Sequence, residues 1–258
     1  MNSNAWRQFC TVRERFRELT ESLDKELPYL KTMQQEMVNL RSGPEYNVET
    51  SVVYNFALDE IRQDDDLKLI LVADNPGRRE QEKRYYLVGP SGKIAEKFFR
   101  DNPSLGIDFR KNVIILNKTP IHTPRTAELR TLGKGGNEST ESRAHIKAFE
   151  GAFLQSQKIM AALLQQLHTA LSDSNKPVPV WIIGYSEMKN GGVFETYTKT
   201  LQALYQNEQE RKDEIFLFRH FSMNQFKIDF NRQALSLEAP RETLDRIGRA
   251  YRKRILGW

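Results

Sequence analysis

Cysteine is almost absent from this chain. The single Cys10 among 258 residues excludes internal disulfides and any metal or iron–sulfur site built on four thiolates. Long apolar runs are missing too, and none approaches the roughly 20 residues of a membrane span. The opening Met1-Asn2-Ser3-Asn4-Ala5-Trp6 has no secretory apolar stretch, so a cytoplasmic protein without membrane contact is expected. His122 and His145 lack the carboxylate–histidine spacing of zinc sites, and His168 sits late in a helical pattern as a structural residue. Asp64-Asp65-Asp66 reads as a solvated turn, because three consecutive side chains point in different directions. No metal and no cofactor are expected. A P-loop is lacking as well: Gly89-Pro90-Ser91-Gly92-Lys93 has its glycines too close together, and Ile94 stands where the motif needs Ser or Thr. The chain holds no internal repeat and no low-complexity tract.

What is present is a moderate basic excess and a regular alternation of apolar patterns. The net charge of +5 and pI near 9.2 favour contact with polyanions. Trp6, Phe9, Val12, Phe16, Leu19 and Leu23 recur at steps of three and four, predicting an amphipathic helix over residues 4 to 26 that Pro28 interrupts. Leu30, Met33, Met37 and Leu40 continue the pattern to the Ser42-Gly43-Pro44 stop. Residues 51 to 62 read as a short helix. Four apolar runs then read as strands: Leu67 to Val72, Val113 to Leu116, Val178 to Ile183 and Ile215 to Phe218. Helical patterns separate them, over Ile94 to Arg100, Phe149 to Leu171 and Val193 to Tyr205, the longest of them ending near Asp173-Ser174-Asn175. Residues 119 to 143 have the composition of a long exposed loop. From Arg241 onward, Leu244, Ile247, Tyr251 and Ile255 share one helix face, with arginines elsewhere. This order predicts an α/β fold, a three-layer α/β/α sandwich around a mainly parallel four-stranded sheet. Residues 1–48 form an N-terminal helical extension packed on the core, and residues 49–258 the α/β domain.

Polar residues stand where the strands stop, the edge at which open α/β sheets bind ligands. Asp74 and Asn75 follow the first strand and precede the Pro76-Gly77 turn, Asn117 ends the second, and His220 with Ser222 follows the fourth. Gly89-Pro90-Ser91-Gly92 is a turn able to bring backbone N–H groups to a phosphate. Taken singly, an Asp-Asn before Pro-Gly is a turn former, Asn117 a loop cap and His220 a structural histidine. Their recurrence at successive strand ends points to a site.

This ordered set resembles the uracil-DNA glycosylase superfamily over roughly residues 50 to 230. Ala73-Asp74-Asn75-Pro76-Gly77 and Tyr86-Leu87-Val88-Gly89-Pro90-Ser91-Gly92 stand in place of G-E-x-P-G and P-F-V-G-x-A-G of the iron–sulfur branch. Asn75 falls in the asparagine slot of the G-x-N-P-G branches, and Val53-Tyr54-Asn55-Phe56 is similar to a V-Y-N-P stretch that precedes it there. His220-Phe221-Ser222 matches the late H-P-S. Ala73, Leu87 and Phe221 depart from the family's glycine, phenylalanine and proline, and the cluster cysteines are missing.

The resemblance implies a DNA-repair glycosylase that hydrolyses the bond between deoxyribose and uracil, or a related damaged base, flipped out of single- or double-stranded DNA. A monomer is expected. Asp74 would stabilise the cationic sugar or orient water, or Asn75 would hold that water; His220 would stabilise the departing base. Asn117 would read the base beside Tyr86 and Leu87, with Tyr85 or Tyr86 as the stacking ring. Gly89, Ser91, Gly92 and Ser222 would hold phosphates, and Met223 or Gln225 would fill the gap left by the flipped base. The competing reading is a glycosylase-like protein that binds DNA or a nucleobase without catalysis.

Overall fold

A computed structural model describes residues 1–132, 140–172 and 177–258. Four parallel strands, β1 (Leu69–Ala73), β2 (Val113–Asn117), β3 (Val180–Ile183) and β4 (Ile215–Phe218), form one sheet in the order β2-β1-β3-β4. Every strand residue is buried, as apolar runs covered on both faces require. The chain leaves β1 for β2 on one side and returns to place β3 on the other. In open α/β sheets ligands bind at such a reversal, here the carboxyl ends of β1 and β3.

Helices cover the sheet in two layers. On one face α1 (Ser3–Glu26) packs along α7 (Thr140–Ser172), which also meets α8 (Glu195–Leu204). The Asn2 side chain caps α1 by accepting from the Ala5 N–H at 2.8 Å. The N-terminal helix therefore shares the main core: Phe9, Val12, Phe16 and Leu19 belong to the same buried cluster as the strands. The expected second helix is α2 (Leu30–Leu40), and the short α9 (Gln209–Asp213) leads into β4. On the other face α5 (Pro90–Asp101) and α10 (Gln225–Gln233) bring Phe98 against Phe99 and Phe226, and the latter two against Trp181 of β3. Each buried phenylalanine contributes about 1.5–3 kcal/mol of apolar transfer. The last helix, α11 (Pro240–Leu256), begins with proline and ends at Gly257 in the left-handed conformation, and it lies close on β4 because Gly248 faces Phe216 and Phe218 without a side chain. The expected docking face of this helix is observed, with Leu244 and Ile247 buried and Tyr251 and Ile255 half-buried. Among the described residues no helix is long and apolar enough to cross a membrane.

Three local expectations are corrected. Of residues 51–62 only α3 (Ala57–Glu60) is helical. The preceding segment is extended, with Val52 bridged to Ile121 and the Val53 N–H donating to the Pro120 carbonyl at 2.9 Å, so tertiary pairing of the two valines overrides the helical spacing. The Gly89-Pro90-Ser91-Gly92 turn is the cap and first turn of α5, which extends the expected helix back from Ile94, and the short helix α4 (Arg78–Lys83) precedes it. The start of the segment after β2 is not exposed: Lys118, Thr119, Ile121, His122 and Thr123 are buried, whereas Arg125, Ala127, Arg130 and Thr131 are exposed as expected, and α6 spans Leu129–Leu132. The rest of that loop at 133–139, and the helix end at 173–175, lie outside the described residues.

Candidate functional site

Asp74 stands directly after β1, and both of its carboxylate oxygens have partners. Lys118, fully buried, places its ammonium 2.5 Å from Asp74 Oδ1 and 2.6 Å from the Ile183 carbonyl of β3. The other oxygen, Oδ2, accepts from the Thr126 hydroxyl at 3.2 Å. Gly184 closes the opposite side. Its φ of +80° and its contact with the Asp74 carboxylate leave no space for a Cβ. Burial pushes the Lys118 pKa down, and the neighbouring Asp74 and Glu187 carboxylates act against that shift.

Asn75 points into the same region but is bound to the segment after β2. Its Nδ2 donates to the Thr123 hydroxyl at 2.9 Å and the Thr123 carbonyl at 3.1 Å, while its Oδ1 accepts from the Thr126 hydroxyl at 3.1 Å. Thr126 has one proton for two acceptors, so Asp74 and Asn75 share it. The turn between them and α4 is braced from below by His122, whose Nδ1 lies 2.8 Å from the Pro76 carbonyl and whose Nε2 lies 3.0 Å from the Tyr46 hydroxyl. A carbonyl only accepts, so Nδ1 carries the proton and Nε2 accepts from Tyr46. Burial lowers the His122 pKa to about 4.

His220 follows β4 at the same carboxyl end. The Ser222 N–H donates to its Nδ1 at 2.9 Å. A neutral ring therefore carries its proton on Nε2, which is left as a donor. Burial lowers the His220 pKa, with the Asp74 carboxylate opposing and the Lys118 ammonium reinforcing the shift. Those two charges bring His220 and Asp74 into one electrostatic unit.

Asn117 ends β2 and is buried against the Tyr86 hydroxyl. Asn117 and His220 thus share the carboxyl end but follow the two outer strands, about 14 Å apart at three strand spacings of ~4.8 Å, with Asp74 between them.

The flanking residues differ from expectation in three respects. The Tyr86 ring is no free stacking surface, being fully buried with its hydroxyl donating to the Val53 carbonyl at 2.6 Å, and Tyr85 is bonded to Glu60. Leu87 is buried in a left-handed conformation, with its carbonyl held by Arg110 at 2.6 Å and packed onto Gly92. The Gly89 N–H is already taken by the buried carboxylate of Glu80 at 3.3 Å, which also accepts from the Gly77 amide, so an internal carboxylate occupies the place assigned to a phosphate. Ser91 is half-buried in the first turn of α5.

Beyond His220 the chain forms a projecting knuckle. Met223 and Asn224 both have positive φ, 50° and 59°, and Met223 is 80% exposed. Two consecutive left-handed residues other than glycine mark a strained apex. Gln225 stands behind it, accepting from Arg219 at 3.3 Å.

No protein-family model matches this sequence, and no curated protein matches it either.

The residues that sequence reasoning passed over are Lys118, Thr123, Thr126, Glu80 and Gly184. Lys118 carried one usable signal, a lysine directly after a buried strand and before a Thr-Pro-Ile run. Thr123, Thr126 and Gly184 act through contacts between segments distant in sequence, and Glu80 through the nearby amides of Gly77 and Gly89.

Proposed function

We propose that this protein is a DNA glycosylase that hydrolyses the N-glycosidic bond of uracil or a related damaged base flipped out of DNA, acting as a cytoplasmic monomer without cofactor. The observation that carries the reading is His220, held by the Ser222 N–H as the tautomer that donates from Nε2, within electrostatic reach of the Asp74 carboxylate. Breaking the glycosidic bond leaves an electron-poor sugar and an electron-rich base. A carboxylate favours the first and a fixed N–H donor favours the second. Asn75 is the alternative water-holding group, and Asn117 supplies an amide able to donate to and accept from a base edge. Met223, apolar and exposed on a strained apex, has the character of a wedge that fills an emptied base stack.

One observation favours the non-catalytic reading. The Lys118 ammonium neutralises Asp74, and both oxygens of that carboxylate have partners. A protein that binds a flipped base without cleaving it needs the pocket but not a free carboxylate.

Abasic-site formation separates the two. Labelled oligonucleotides carrying uracil, hypoxanthine or other damaged bases are incubated with protein and treated with alkali. Strand breaks at the damaged position support the glycosylase, and Asp74→Asn should lower single-turnover excision by roughly 10²- to 10³-fold. Asn75→Ala as the worse lesion, with Asp74→Asn mild, would transfer the main role to Asn75. Wild-type protein that binds these oligonucleotides and yields no abasic site leaves the binding module as the better account.

A further inference from the structure

Two tyrosines and two arginines meet on the β4 side of the carboxyl edge. Tyr185, the residue after Gly184, packs its ring 4.5 Å from that of Tyr251 on α11. Arg254, three residues further along that helix, covers both, its guanidinium carbon 5.0 Å from the Tyr185 ring centre and 4.7 Å from that of Tyr251. Arg219, immediately before His220, reaches the same pair from the sheet. Its Nη1 donates to Gln225 at 3.3 Å, its Nε lies 3.6 Å from Asp229 Oδ1, and it meets the Tyr251 hydroxyl. That hydroxyl donates to Asp229, 2.8 Å from Oδ2, so α10 anchors the whole shelf.

The charge on this shelf is unbalanced. Asp229 is the one carboxylate bonded to these four side chains among the described residues, and it is shared between Arg219 and Tyr251. Arg254 makes no ion pair among the described residues and is exposed, and the Arg219 side chain remains 45% exposed. Stacking and hydrogen bonds fix the two guanidiniums before any ligand arrives, which lowers the ordering cost of binding. A planar guanidinium presents paired donors that match phosphate oxygens. The shelf adjoins His220 and the exposed Met223, so an extended anion lying on it runs past the candidate pocket.

We propose that Arg219 and Arg254 form a clamp for successive backbone phosphates of a DNA strand beside the pocket. The choice of DNA as partner rests on the glycosylase reading, whereas the anion-gripping geometry stands on these four residues.

The test measures duplex affinity against salt for the full chain, comparing wild type with Arg219→Gln, Arg254→Gln and the double variant, and with Lys31→Gln on α2 as a distant charge control. Each phosphate that is no longer neutralised should flatten the slope of log K against log salt by about 0.9. The double variant should bind on the order of tenfold more weakly at low salt, uniformly across sequences, while Lys31→Gln changes neither quantity. Arg254→Lys keeps the charge but not the planar stack, and it should recover slope without full affinity. Thermal melting checks that each variant is folded.

An unchanged slope in the double variant overturns the clamp, as does wild-type protein that binds no DNA. Polyglutamate competing as well as DNA, with the same arginine dependence, also overturns it by making the shelf a general anion patch. Arginine-dependent DNA binding by a protein that excises no base supports the clamp while removing the glycosylase reading, so the two fail separately.

Discussion

The Lys118 ammonium lies 2.5 Å from Asp74 Oδ1 in a buried pair that joins the ends of β1, β2 and β3. Removing one partner of such a pair leaves an uncompensated charge out of water, at a cost of roughly 3–5 kcal/mol. Lys118→Met should therefore lower the urea unfolding free energy by that order. Adding Asp74→Asn removes the stranded carboxylate and should restore part of the stability. A double variant no more stable than Lys118→Met alone would show that packing of the lysine stem, not charge pairing, holds this junction.

Acid should loosen the turn that presents Asp74 and Asn75. Unfolded, His122 takes up its proton near pH 6.5; folded, it stays neutral down to about pH 4. Across that window the unfolded state binds more protons, so stability is full above pH 6.5 and declines as the pH falls towards 4. The decline attributable to His122 is about 3 kcal/mol. Melting curves between pH 7 and 4.5 should show a shallower decline in His122→Asn than in wild type. Burial shifts His220 in the same direction, but that contribution is common to both proteins and cancels in the comparison.

Two glycines separate backbone strain from site contact. Gly184 and Gly191 both have positive φ, +80° and +70°, yet a Cβ at Gly191 meets no atom within 4 Å while one at Gly184 runs into the Asp74 carboxylate. Gly191→Ala should cost about 1–2 kcal/mol, the ordinary penalty of a left-handed alanine. Gly184→Ala should cost clearly more and, on the proposed glycosylase reading, should also lower excision by displacing Asp74. Equal destabilisation in chemical denaturation would show that Asp74 yields freely to the methyl group.

The sheet was legible because its strands are buried on both faces. Ile215–Phe218 is observed at its expected bounds, and the others shift by a residue or two. Strand ends carry polar residues for few reasons, so Asp74, Asn75, Asn117 and His220 could be read off as neighbours of one edge. What they touch could not. Lys118 reaches Asp74 across 44 residues, and Thr126 reaches it across 52. The helical spacing at 51–55 misled because the partners of Val52 and Val53 lie near Ile121. Gly89 looked like a phosphate turn because an empty amide and one filled by Glu80 have the same local sequence.

The strictest check on the proposed chemistry concerns the protonation of His220. With Nδ1 accepting from the Ser222 N–H, the neutral ring carries its proton on Nε2, which the proposed chemistry uses as the donor, an arrangement that exists only in the neutral form. Burial holds its pKa below the usual 6.5. Excision should then be fully present at neutral pH and disappear as the pH falls through the lowered value, so the acid limb of the single-turnover rate lies below 6.5. His220→Ala should slow excision by roughly 10²- to 10³-fold, as removal of an oriented donor does, and should remove that limb from the residual rate. DNA affinity is followed in parallel, since a variant that merely fails to bind would lose rate at subsaturating protein and regain it at saturation. An acid limb at or above 6.5, or one that persists unchanged in His220→Ala, would falsify the assignment of His220 as the donor to the departing base.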